Sequence, residues 1–151
     1  MRLWHYKLLP YLPDAQFKGQ LRELVWIMRQ WRENGKTNHL LINRTTEYCK
    51  EELYHYWKDY EQEWYNRGLR DLSEYADEFY EFSNGGYWFL KDGYVVEPFK
   101  DGWHNKEYLR VCMANLYEKH HFGIGKSRIT DEEWERLTDG YKQITGEEYQ
   151  I

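Results

Sequence analysis

The sequence is short of most things that mark a membrane, secreted or metal-clustered protein. No apolar run approaches the roughly 18 residues that a membrane-spanning helix needs. Arg2 to Pro13 contains no apolar stretch of the kind a secretory signal carries, so none is expected. Cys49 and Cys112 stand alone, without the paired spacing of a zinc or redox motif. Two free thiols in an intracellular protein are therefore the expectation. There are 3 prolines, no low-complexity linker and no internal repeat, which argues for one domain rather than an array. Positive charge is also in deficit: 21 Lys and Arg against 26 Asp and Glu give a net charge of −5, which counts against a uniformly basic nucleic-acid coat. Aromatic surface, by contrast, is plentiful. Rings make up 19% of 151 residues, with 8 Trp and 15 Tyr. A domain of this length has room for a core but not for that many fully buried rings, so many must lie half exposed or line a groove.

The charge is unevenly spread. Through Tyr48 there are eight Lys or Arg against four Asp or Glu, and in the remainder thirteen against twenty-two. The basic third carries Arg2, Lys7, Lys18, Arg22, Arg29, Arg32, Lys36 and Arg44, interleaved with Trp4, His5, Tyr6, Tyr11, Trp26 and Trp31. Cations suit phosphates and flat rings suit unstacked bases. A solvated helix with core aromatics has the same pattern, so composition alone does not decide between them.

Periodicity predicts a mostly α fold: a single domain of four to five helices with a short irregular or hairpin segment near residues 84–99. Pro10 and Pro13 give a turn-rich approach to a helix that Asp14 can cap and that ends at Asn34-Gly35. A loop from Lys36 to Arg44 is expected next. Thr45 or Thr46 can then cap a long helix running to Arg67, closed by Gly68, with Leu53, Trp57, Tyr60 and Trp64 at helical spacing. A short helix over Asp71 to Phe82 follows. Asn84-Gly85-Gly86 and Asp92-Gly93 punctuate an aromatic stretch. His104 to His120 forms another helix, and Thr130 to about Tyr141 the last, opened by T-D-E-E as a capping box.

The first long helix contains GQLRELVWIMRQWR, residues 19 to 32. Phe17, Leu21, Leu24, Val25, Met28 and Trp31 form one apolar face. Arg22 and Glu23 lie off it, and one turn before Glu23 stands Gly19, with no side chain to cover the carboxylate.

The amino-terminal MRLWHYKLLPYLPDAQFKGQLRELVWIM, followed by NGK at 34 to 36, LLIN at 40 to 43 and NRGL at 66 to 69, resembles the pyrimidine dimer DNA glycosylase family, the phage-type endonucleases that excise ultraviolet photoproducts. EYLRVCMANLYEKH at 107 to 120 is similar to a later helix of bacterial and phage relatives. The resemblance implies that the α-amine of the first residue attacks C1′ of the damaged nucleotide, expels the base and leaves an imine. Such an amine, with a pKa of about 7.7 to 8.0, keeps a neutral fraction at cellular pH that lysine lacks. It also implies a carboxylate at Glu23, which stabilises positive charge at C1′ and moves protons during ring opening and β-elimination, and a DNA contact at Arg22.

The chain begins Met-Arg where the type enzyme begins Met-Thr, so the amine falls on Met1, or on Arg2 if Met1 is removed. Leu3 and Trp26 stand where the family has arginines, with Arg2 and Arg29 near enough in sequence to substitute in part. The catalytic candidates are therefore Met1, Arg2 and Glu23. The DNA-binding candidates are Arg22, Arg29, Trp26, Lys36, His39, Lys126 and Arg128. No metal and no cofactor is expected. The implied partner is double-stranded DNA with damaged bases, met by a monomer in the cytoplasm of a bacterium or phage-infected host, away from membrane.

Two further features weigh less. His120-His121 could suggest a ligand pair, but adjacent helical side chains face different ways. GIGKSR at 123 to 128 lacks the spacing of a phosphate-binding P-loop and fits a basic turn touching DNA. The second function class is a family-fold protein without catalysis, serving as a DNA-binding or protein-interaction module, for instance in a phage.

Overall fold

The computed structural model describes residues 2–35, 37, 39–84 and 97–151. Met1, Lys36 and most of the proposed hairpin segment, residues 85–96, lie outside the described residues. Among those described the fold is mostly α, with six α-helices: α1 (Asp14–Asn34), α2 (Leu40–Thr45), α3 (Lys50–Asn66), α4 (Ser73–Phe82), α5 (Lys106–His121) and α6 (Asp131–Thr145). Two 3-10 turns, Tyr6–Tyr11 and Gly125–Ser127, complete them. No described helix is long and apolar enough to cross a membrane.

Contacts divide the chain into two units. One comprises Met1–Leu3 with Leu21–Lys100, the other Trp4–Gln20 with Asp101–Ile151. In the first, α1 contributes its apolar face: Leu24, Ile27 and Met28 are fully buried. Trp57 of α3 stacks on Phe79 of α4, centroids 4.3 Å apart and planes 7° from parallel, and Trp31 meets Phe82 edge-on. Ring pairs of this kind add to the burial of their area. Phe99 is fully buried although its φ is 59°, a conformation costly for a bulky residue. Its burial and its N–H donated to Glu52 Oε1 at 3.2 Å help to offset that cost.

In the second unit, α6 lies on the Tyr6–Tyr11 turn. Gly140 sits so close to Tyr11 that an added Cβ would fall 2.4 Å from the ring, and Arg136 Nη2 donates to the Pro10 carbonyl at 2.6 Å. Leu8, Leu9, Leu12, Phe17, Leu109, Cys112, Leu116, Ile129 and Leu137 are buried.

Several expectations need correction. The Lys36–Arg44 segment is not all loop, because α2 begins at Leu40, capped by the His39 side chain accepting from Leu41 N–H. Thr45 and Thr46 do not cap α3. Their hydroxyls bond back to the Leu41 and Asn43 carbonyls at the end of α2, and α3 starts after Cys49, whose side chain makes no cap bond. Asp14 lies inside the first turn of α1, where its charge suits the helix dipole, and Pro13 O accepts the first bond, from Phe17 N–H. The capping box at Thr130 and Glu133 is present, and α6 runs on to Thr145, where Gly146 takes a φ of 77°.

Candidate active site and DNA-facing surfaces

Glu23 emerges from α1 half-buried, and its neighbour Arg22 is exposed. The apolar stripe explains both: Leu21, Leu24 and Val25 turn inward, which leaves residues 22 and 23 at the margin of the buried face. Gly19 is exposed, and a Cβ added there would meet nothing within 4 Å. Across from Glu23 stands Tyr60 of α3, fully buried. Burial pushes its phenol well above the ordinary range, and the negative charge of Glu23 pushes it further the same way, while Arg67 pulls against both. Arg67 in turn donates through Nε to Glu63 at 2.9 Å, with both side chains largely buried. The carboxylate thus has a neutral phenol nearby, beside a cation already committed to Glu63.

Trp4 is anchored to α1. Trp4 N–H donates to Gln20 Oε1 at 2.8 Å, and Gln20 is 1% exposed. A buried amide without a partner would be costly, so this bond ties residue 4 to one point on α1. Gln16, one turn earlier, is used in the same way and donates to the Ser127 carbonyl at 2.9 Å. Arg2 is half-buried and Leu3 fully buried, which makes Leu3 a core residue.

The remaining candidates divide. Trp26 and His39 come together, ring centroids 4.9 Å apart and edge-on. Because His39 Nδ1 accepts from Leu41 N–H, the proton of the neutral ring is assigned to Nε2. Arg22 makes no ion pair with the described residues. Arg29 is engaged with α4: Nη2 and Nε reach Glu78 at 2.6 and 3.0 Å, and Arg32 Nη1 reaches the same carboxylate at 3.3 Å. Both guanidiniums hold the Glu78 carboxyl below its usual range, Arg29 most strongly. Lys126 and Arg128 are exposed in and beside the Gly125–Ser127 turn of the second unit. His120 bonds Asp131 through Nε2 at 2.7 Å and stacks on Trp134, whereas His121 stacks on Tyr117. Tyr117 borders both imidazoles, at centroid distances of 6.4 and 5.3 Å, but their other partners differ.

Sequence reasoning missed Gln20, Gln16 and Tyr60. The glutamines carry a legible signal, since both fall on the buried side of an apolar helix, where an amide must find a partner. Tyr60 has none, because its proximity to Glu23 depends on how α3 packs.

A family model described as pyrimidine dimer DNA glycosylase matches residues 1–77. No curated protein and no solved structure matches the chain. The matched span contains α1 to α3 entire, with Trp4, Gln20, Arg22, Glu23, Tyr60 and Arg67.

Proposed function

The chain belongs to the pyrimidine dimer DNA glycosylase family, and on that premise we propose that it excises a damaged base through its own first amine and then cleaves the strand. The neutral α-amine of Met1, or of Arg2 after Met1 removal, forms a bond to C1′ as the glycosidic bond breaks. The base leaves with the electron pair and takes up a proton. Ring opening gives an imine, and β-elimination expels the 3′ phosphate. Glu23 stabilises the charge at C1′ and carries the protons between these steps. Arg22 holds a phosphate.

The observation that supports this reading best is the bond from Trp4 N–H to buried Gln20. Residue 1 lies three residues before Trp4, a reach of up to about 10 Å. Glu23 lies three residues after Gln20, about 4.5 Å along the helix axis. Chain length therefore allows the first amine to meet the carboxylate.

Borohydride reduction of the full chain on a duplex with an abasic site tests the reading. An imine is captured as a stable protein–DNA adduct. One or two residues added before Met1 should remove the adduct, since each displaces the amine by about 3.5 Å and attack needs an approach near 3 to 3.5 Å. Absence of any adduct with the native terminus overturns the reading and leaves a binding module. An adduct that survives extension moves the nucleophile elsewhere.

A further inference from the structure

Two of the most exposed large apolar side chains described stand two positions apart in sequence, in the connection between α5 and α6. Phe122 is 73% exposed and Ile124 86%. Isolated exposed apolar residues need no explanation, but these two are presented by a loop that is firmly built. Gly123 is pressed onto the end of α5 so tightly that a Cβ would fall 2.1 Å from the Lys119 carbonyl oxygen. Ile129, fully buried, donates its N–H to that same carbonyl at 3.2 Å. Gly125 takes a φ of 73°, and the Ser127 carbonyl accepts from Gln16. The base of the loop is pinned at three places while its tip holds apolar side chains in water.

The rings behind Phe122 are ordered as well. Tyr117 stacks on His121 with centroids 5.3 Å apart and planes 12° from parallel, and His121 meets Phe122 edge-on at 4.6 Å. From Lys119 to Thr130 the chain has Lys119, Lys126 and Arg128 and no acidic residue, although the whole molecule is acidic. None of these three cations forms an ion pair with the described residues. An apolar tip framed by unpaired cations matches a surface that is anionic outside and flat and apolar within. Duplex DNA opened at one base step is such a surface, since proteins that kink DNA insert apolar side chains between steps and hold the flanking phosphates with Lys and Arg.

We propose that the Phe122–Arg128 loop is a wedge, in which Phe122 and Ile124 enter a weakened base step while Lys126 and Arg128 hold the phosphates beside it. The inference rests on the reading of this chain as a protein that acts on damaged DNA, but it needs neither the Met1 amine nor Glu23. The wedge would favour lesions that have already lost stacking, because a base step that is partly open costs less to enter.

The test uses the full chain and a short duplex with a central tetrahydrofuran abasic-site analogue, which cannot form an imine, and 2-aminopurine next to it. The wild type should bind and raise 2-aminopurine fluorescence as the step opens. Phe122→Ala with Ile124→Ala should lose that rise and weaken binding by about tenfold or more, the scale of losing a stacking contact, with the salt slope unchanged. Lys126→Gln with Arg128→Gln should instead flatten the slope by about 1.8, at about 0.9 per phosphate contact. Both pairs are exposed, so thermal melting should match wild type. A Phe122, Ile124 variant with native affinity and native fluorescence overturns the wedge. So does a wild type that self-associates through this loop, with the double variant monomeric and DNA binding unaltered. Failure of the borohydride test with the fluorescence result intact would remove the imine reading alone, and the reverse pattern would remove the wedge alone.

Discussion

Glu23 and Arg22 differ by one position on α1 and by their whole environment. The arginine is exposed, whereas the glutamate is half-buried, near a phenol whose burial and charge environment keep it neutral. On the proposed reading the carboxylate, and not this neutral phenol, is the group that changes charge. Glu23→Gln keeps the shape and removes both the charge and the proton acceptor. Strand cleavage should then fall by about a hundredfold or more, the scale of a general acid–base group, while binding to an abasic-analogue duplex stays within about tenfold. Single-turnover cleavage and a binding titration on the same duplex measure the two effects separately. Native cleavage by the variant would take Glu23 out of the mechanism.

At the scale of elements, the amino-terminal turn is joined to the start of α5 by a small aromatic cluster. Tyr6 N–H donates to His104 Nδ1 at 3.2 Å, Lys7 N–H donates to His5 Nδ1 at 3.1 Å, and the two imidazoles stack 5.2 Å apart. His5 is 3% exposed. Burial lowers its pKa from 6.5 to about 4, and the charge of Lys7 adds to the effect. In the unfolded chain this histidine binds its proton near pH 6.5, whereas in the folded chain it does so only near 4. The stabilising term is thus complete above about pH 6.5 and is lost as pH falls to about 4, by roughly 3 kcal/mol. Denaturant midpoints measured across that window should drop steadily, and His5→Gln should flatten the drop. An identical pH profile in the variant would assign the acid sensitivity to other groups.

The elements also show what sequence can reveal. The stripe from Phe17 to Trp31 is readable because four turns repeat one period, and the α6 capping box is readable because both partners lie within four residues. The six-residue α2 is too short to show a period, and its stability comes from His39, Thr45 and Thr46 side chains bonding to its own backbone. The same Thr residues resemble caps for α3, which is why its start is misplaced. At the candidate site, Glu23 and Arg22 are found by resemblance. The Trp4–Gln20 bond shows only as an unexplained amide on an apolar face, and Tyr60 is found only through packing.

For the whole molecule, the governing quantity is where positive charge is free to meet DNA. The net charge of −5 makes non-specific attraction weak, so binding must depend on a few cations without acidic partners. Arg22 qualifies. Arg29 and Arg32 do not in the unbound protein, because Glu78 holds them both. These pairs are partly exposed, so each is worth at most about 1 kcal/mol, and a phosphate can compete for the same guanidiniums. Each phosphate contact contributes about 0.9 to the slope of log affinity against log salt. Arg22→Gln should flatten that slope by about 0.9. Arg29→Gln should flatten it by less, since a phosphate must first displace Glu78. Glu78→Gln should act in the opposite direction, steepening the slope by about 0.9 as Arg29 becomes available while Arg32 keeps Glu33 as a partner, with tighter binding at low salt and little change in melting temperature. Titrations of one undamaged duplex at four salt concentrations would measure all three slopes. If Arg22→Gln and Glu78→Gln both leave the slope at its native value, the α1 face does not carry the DNA, and the Lys126 and Arg128 loop becomes the principal contact.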